Sequence, residues 1–261
     1  MTIREIANEI NAWAPPPEAE SYDNVGLLVG YPETEVSGIL INLDVTEAML
    51  VEAKKQGANL IITHHPIWFG PRNRLNGEDY VSRIIMSAIK HDIALFACHT
   101  NLDNIQSGVN RRISEKLGLN GIEFLRPKMP DAGLYGSGMI GELPAPVSKS
   151  EFLAFVKDTF RCGTIRYADS ESDSIRRVAV CGGSGSFLLS DAIRQKADAM
   201  ITGDVSYHKF FDSEGRILYM DIGHYESEQF TSELIYDFLS EKFPNFAIHL
   251  SKVHTNPIKY Y

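Results

Sequence analysis

At 261 residues the chain can form one large domain or two moderate ones, and its hydrophobic (44%) and charged (23%) fractions exclude a disordered or fibrous protein. No apolar stretch approaches the ~20 residues needed to span a bilayer, and Met1-Thr2-Ile3-Arg4-Glu5 lacks the apolar core of a secretory signal, so the cytoplasm is the expected compartment. A formal net charge of −9 repels polyphosphate backbones, so nucleic-acid binding is disfavoured, although a local positive site such as a bound metal could still attract a small anion.

The opening predicts a helix: Thr2 can cap it, Glu5 completes a capping box, and Ile3, Ile6, Ala7 and Ile10 recur at helical spacing until Pro15-Pro16-Pro17. A short strand follows at Asp23–Gly30, with Asp23-Asn24 as either an anchoring pair or an ordinary turn. Strands are then expected at Ile39–Leu43, Leu60–Thr63 and Ile93–Cys98. Helices are expected at Thr46–Gln56, Tyr80–Lys90 and Val109–Leu117. This alternation indicates an α/β fold with a largely parallel sheet.

Arg126 to Pro146 is richer in Pro and Gly and suggests a change of unit, giving expected lobes at 1–125 and 126–261, with terminal elements open to exchange. Within the second lobe a strand is expected around Gly138–Leu143, a helix at Ser150–Asp158 and a polar loop at Ser170–Ser174. Shifting by 139 residues lays Ile39-Leu40-Ile41-Asn42 over Val178-Ala179-Val180-Cys181 and Leu60-Ile61-Ile62-Thr63 over Ala199-Met200-Ile201-Thr202. His64-His65 then falls on Gly203-Asp204. Either a duplication or the shared physics of two βαβ units accounts for this match.

Four strand ends collect polar residues, and ligands of open α/β sheets bind at the carboxyl ends of strands. They carry His64 and His65, His99 and Asp103, Asp204 and His208, and His224 and Glu228. Adjacent residues on an extended chain point to opposite sides, so His64 and His65 can share one ion only if the backbone turns sharply, whereas two neighbouring ions can share them without a turn. His224 and Glu228 are four apart at the start of a helix expected to run through Phe230, Leu234, Ile235, Phe238 and Leu239, so both project from one face. Nitrogen and carboxylate donors without thiolate suit Zn, Mn, Fe or Co, and two such cations ~3.5–4 Å apart can generate hydroxide and stabilise an oxyanion.

Bland readings stand beside these. His91, His249 and His254 read as surface or satisfied core residues, and a His/Glu pair on a helix is ordinarily solvated. Cys98, Cys162 and Cys181 form no CxxC pair and read as buried or half-buried thiols rather than a disulfide framework or zinc knuckle. Gly182-Gly183-Ser184-Gly185-Ser186 lies between a strand and a helix, where backbone N–H groups could cradle a phosphate. It has no Walker lysine and no complete GxGxxG, and a tight turn without a ligand is the competing reading.

Taken together, Ser21-Tyr22-Asp23-Asn24-Val25-Gly26-Leu27, Thr63-His64-His65-Pro66, His99-Thr100-Asn101-Leu102-Asp103, Thr202-Gly203-Asp204 with His208, and Gly223-His224 with Glu228 resemble the Ngg-interacting-factor-three-like family. Its members are often labelled GTP cyclohydrolase I type 2 homologues. The resemblance implies two similar α/β lobes, with largely parallel or mixed sheets flanked by helices, and a dinuclear metal site between the lobes. It also implies a toroidal homohexamer built as a trimer of dimers. The implied ligands of two divalent ions are His64, His65, Asp103, His224 and Glu228, with Asp103 and Glu228 as natural bridging carboxylates. His99, Asp204 and His208 would transfer protons or orient ligands. Arg126 to Arg177 is too short for the domain that larger members carry between their halves. The resulting expectation is a metal-dependent hydrolase acting on a nucleotide or another small cyclic amide or phosphoester. The alternative is a non-catalytic metal-binding scaffold or regulatory protein.

Overall fold

The computed structural model describes residues 1–128 and 134–261. Residues 129–133, part of the Pro- and Gly-rich segment, lie outside the described residues. In chain order the first elements are α1 (Ile3–Trp13), β1 (Gly26–Val29), β2 (Ile39–Asn42), α2 (Glu47–Gln56), β3 (Leu60–Thr63), α3 (Tyr80–Lys90) and β4 (Ala94–Ala97). They are followed by α4 (Thr100–Asp103), α5 (Val109–Lys116), β5 (Asn120–Pro127), β6 (Gly136–Ser148), α6 (Lys149–Thr159), β7 (Arg166–Ala168) and β8 (Ser174–Ser184). The last are α7 (Leu189–Arg194), β9 (Ala199–Gly203), β10 (Leu218–Asp221), α8 (His224–Glu228), α9 (Thr231–Lys242) and β11 (Ile248–Leu250).

The expected capping box closes α1: the Thr2 hydroxyl accepts from the Glu5 N–H and the Glu5 carboxylate accepts from the Thr2 N–H at 2.7 Å. Ser148 and Glu151 form a second capping box on α6, while the Thr46 and Asp79 side chains cap α2 and α3 by accepting from the Met49 and Ser82 N–H groups. Among the described residues no helix is long and apolar enough to cross a membrane.

The chain divides into two compact units: Met1–Leu102 with Thr231–Pro257, and Asp103–Phe230 with Ile258–Tyr261. The boundary expected after residue 125 therefore lies inside the second unit. β5 pairs antiparallel with β6, which draws residues 103–125 into the second sheet. The single long helix expected from His224 is two: α8 stops at Glu228, and α9 starts at Thr231 and counts with the first unit together with β11.

The first unit holds a five-stranded sheet in the order β1-β4-β3-β2-β11, parallel except for β1. β2, β3 and β4 are buried at every residue, as strands covered on both faces must be. α2 and α3 supply Met49, Leu50, Ala53, Ile84, Ile85 and Ala88 to pack on Leu40, Ile61 and Leu95. The second unit holds a six-stranded mixed sheet in the order β5-β6-β8-β9-β10-β7. Its core joins Ile140, Ala179, Met200 and Tyr219 to Leu188, Leu189 and Ala192. The overall class, mixed α/β with two sheets flanked by helices, is the expected one.

The 139-residue shift carries strand register as well as sequence. Ile39, Leu40 and Ile41 face Leu60, Ile61 and Ile62 across β2/β3, and their equivalents Val178, Ala179 and Val180 face Ala199, Met200 and Ile201 across β8/β9.

Candidate metal centre

Register explains how three strand ends of the first unit meet. Asn42 pairs with Thr63, and Thr63 pairs with Ala97. Two residues beyond that level stand Asp44, His65 and His99, and the ladder continues through His65 N–H to Leu43 O at 3.0 Å and Cys98 N–H to Thr63 O at 2.9 Å. The chain bends at His64-His65, held by the Thr63 hydroxyl on the His65 carbonyl at 2.8 Å. That bend overrides the alternation of an extended strand and brings the two rings to 5.0 Å between centroids. His99 stands 5.1 Å from His64 and 5.4 Å from His65. One potential ligand nitrogen from each of the three lies within 4.8 Å of the others.

Each of these rings is fixed through Nδ1. His64, fully buried, donates to the Cys98 carbonyl at 2.8 Å. A carbonyl only accepts, so Nδ1 carries the proton and a neutral ring presents its lone pair at Nε2. His65 Nδ1 meets Asp44 at 2.7 Å, and the other Asp44 oxygen accepts from the Thr255 hydroxyl at 2.7 Å. His99 Nδ1 meets Asp23 at 2.8 Å. Burial opposes ionisation of Asp23, but His99, Thr100 and the Asn24 N–H hold its pKa down at about 2. Asp23 is thus an anchor for His99 and not merely a turn residue. Orientation of metal-binding imidazoles by a carboxylate or carbonyl on the second nitrogen is the usual device for fixing tautomer and raising ligand basicity.

In the second unit Asp221 pairs with Thr202, and Asp204 and His224 follow closely on those strand ends. Asp204 adopts a left-handed φ of 54°. His224 Nδ1 meets Asp204 at 2.6 Å and Nε2 meets Glu228 at 3.1 Å. Burial alone would lower the His224 pKa, yet the charges of buried Glu228 and of Asp204 push it up to about 11. Asp103 contributes a carboxylate oxygen within 4.8 Å of one from Glu228. Its carbonyl accepts from the Asn110 amide at 3.1 Å.

The glycine-rich turn packs against the Glu228 carboxylate. The N–H groups of its three glycines are already committed: Gly182 to Asn110 at 2.9 Å, Gly183 to the Ser227 hydroxyl at 2.9 Å and Gly185 to the Thr202 hydroxyl at 2.8 Å. A β-carbon at Gly183 would stand 2.4 Å from Glu228 Oε1 and 3.2 Å from His224 Cε1. One at Gly203 would stand 2.9 Å from the His224 backbone. The glycines leave the space that His224 and Glu228 fill.

The donor set fits a divalent transition metal: neutral nitrogen with fixed tautomer and buried carboxylate, without thiolate. The cysteines stay out of it. Cys98 and Cys181 are buried with thiol pKa values pushed well up by burial, and Cys162 is pushed up to about 12 for the same reason. Among the expected residues, His64, His65 and His99 come together in the first unit, and Asp103, Asp204, His224 and Glu228 in the second. His208 is exposed, its described partner being the Tyr207 ring at 5.2 Å. Sequence reasoning missed Asp44 and the role of Gly183. A carboxylate two residues past a buried strand is the only signal the first of these leaves.

These features define a mixed α/β protein with an imidazole–carboxylate cluster able to hold a metal ion. The Duf34/NIF3 (NGG1p interacting factor 3) family matches residues 1–257. A Clostridium perfringens protein named GTP cyclohydrolase 1 type 2 homolog is 38% identical over 230 residues, 87% of each chain. Crystal structures of a Staphylococcus aureus protein (TM-score 0.94, 30% identity) and of a Bacillus cereus protein related to NIF3 (TM-score 0.93, 25% identity) each cover 100% of this chain and 99% of their own. The chain belongs to the Duf34/NIF3 family.

Proposed function

We propose that His64, His65 and His99 act together with Asp103, His224 and Glu228 on a pair of divalent ions (Zn, Mn, Fe or Co), and that the protein is a cytoplasmic metal-dependent hydrolase of a small cyclic amide, nucleotide or phosphoester. The observation that carries this reading is the Nδ1 pattern: four imidazoles, each held by a carbonyl or carboxylate on the nitrogen away from a ligand position. Such ions supply a nucleophile at neutral pH and stabilise developing negative charge on oxygen. Asp103 and Glu228 bring the carboxylates suited to bridging. Asp44, Asp23 and Asp204 orient His65, His99 and His224, and exposed His208 is the candidate for carrying a proton to solvent. The names of the relatives favour a purine-like cyclic amide among the substrates, and the resemblance favours a toroidal homohexamer.

The test is a panel of nucleotides, phosphodiesters and cyclic amides offered to metal-loaded, chelated and Glu228→Ala protein, with metal content and native mass measured on the same samples. Turnover that follows metal content and disappears in Glu228→Ala is expected. Turnover indifferent to chelation refutes the mechanism. Stoichiometric metal with no turnover across the panel refutes catalysis and supports a metal-binding scaffold.

A further inference from the structure

A cleft of about 620 Å³ opens within the first unit, and His65 and Asp44 form part of its wall. That volume lies in the range of small-molecule sites. Its lining includes buried Ile84 and Tyr80, 62% exposed, with Glu47 and Arg83. Tyr80 and Arg83 lie three apart on α3 and share a face. The Arg83 Nε donates to Glu47 Oε1 at 2.7 Å, with the two side chains 49% and 57% exposed. An ion pair so exposed adds little stability and can exchange partners readily.

We propose that this cleft recognises a flat ring by its lactam edge, with the ring carbonyl accepting from Arg83, the adjacent ring N–H donating to Glu47, and the ring face against Tyr80. The proposal rests on the hydrolase reading above and narrows its substrate class to cyclic amides. A guanidinium only donates and a carboxylate only accepts, so the neighbouring pair matches a carbonyl beside an N–H. Asp44 and Glu47 outnumber Arg83 among the charged residues of the cleft, which leaves no excess positive charge to select a phosphate. The reading edge and His65 border one space, so a ring held by Glu47 and Arg83 lies in the same cleft as a candidate metal ligand.

The test uses inosine, which has this edge, and 1-methylinosine, which lacks the N–H. Binding of each to the full chain is measured by calorimetry with and without zinc. Inosine is expected to bind, and 1-methylinosine to bind on the order of tenfold more weakly or worse, as for loss of a hydrogen bond to a charged group. Glu47→Ala and Arg83→Ala are each expected to weaken inosine to a similar degree while zinc content stays the same. Equal binding of the two nucleosides, or no inosine binding at millimolar concentration, overturns the proposal without recourse to any variant. If inosine fails while zinc content and turnover on the panel persist, the cleft assignment alone falls. If zinc content or metal-dependent turnover is missing, the hydrolase reading falls.

Discussion

Gly183→Ala tests the link between backbone and ligand most sharply. Gly183 has φ of 58° and Gly118 has φ of 66°, but a β-carbon at Gly118 meets nothing within 4 Å. Both alanine variants carry the left-handed penalty of ~1–2 kcal/mol, which lowers Tm by roughly 2–8 °C in a protein of this size. Only at Gly183 does the new carbon stand 2.4 Å from Glu228 Oε1, so that oxygen must retreat by about 0.6 Å to clear 3.0 Å. Glu228 is 3% exposed and has little room for it. Metal–ligand distances tolerate changes of only ~0.2 Å, so such a retreat removes a donor. The expected result is a metal affinity at least ~10-fold weaker in Gly183→Ala and unchanged in Gly118→Ala, read by chelator competition on folded protein. Equal affinity in the two variants would refute the assignment of Glu228 as a ligand held in place by this glycine.

Two further outcomes follow from named contacts. Asp44→Ala frees His65 to rotate and should weaken metal binding by ~10–100-fold, with Thr255→Val falling between that variant and the parent because Thr255 holds the second Asp44 oxygen. An unchanged metal titration in Asp44→Ala would count against the orienting role. Burial raises the Asp191 pKa, but Arg126 and Arg194 hold it below the ordinary carboxylate value. Its stabilising effect is therefore full above the unfolded pKa of ~3.9 and disappears as pH falls through the lower folded value. Asp191→Asn should cost about 1–2 kcal/mol at pH 7, discounted for the exposed arginines. The gap should begin to narrow below pH ~4 and close only once pH has passed the lower folded value in denaturant titrations, and a gap undiminished at the acid end would exclude the ionic cause.

The elements rich in local signal were legible. The Thr2/Glu5 capping box, the apolar runs of β2, β3 and β4 and the helices between them all stand where pattern and capping put them. The 139-residue shift anticipated a shared strand register because a βαβ unit is a local structure set by its own apolar spacing. The unit boundary was not legible. β5 joins the second sheet by pairing with the next strand, β6, and the three-residue β11 joins the first sheet through a non-local pairing with β2, so unit membership follows strand pairing rather than local composition. The break between α8 and α9 leaves an apolar pattern uninterrupted by Gly or Pro, so periodicity alone reads through it.

Residue type and position after a strand were enough to nominate His64, His65, His99, Asp103, Asp204, His208, His224 and Glu228, because chemistry at strand ends is a one-dimensional signal, and that signal does not separate exposed His208 from the rest. Tertiary structure alone decided how those side chains are held. Asp44 and Asp23 reach His65 and His99 from strand ends and loops distant in sequence, and Gly183 clears the volume that Glu228 occupies. A hydrogen bond or an excluded volume is a property of two groups in space, and neither partner carries the mark of the other in its own stretch of chain.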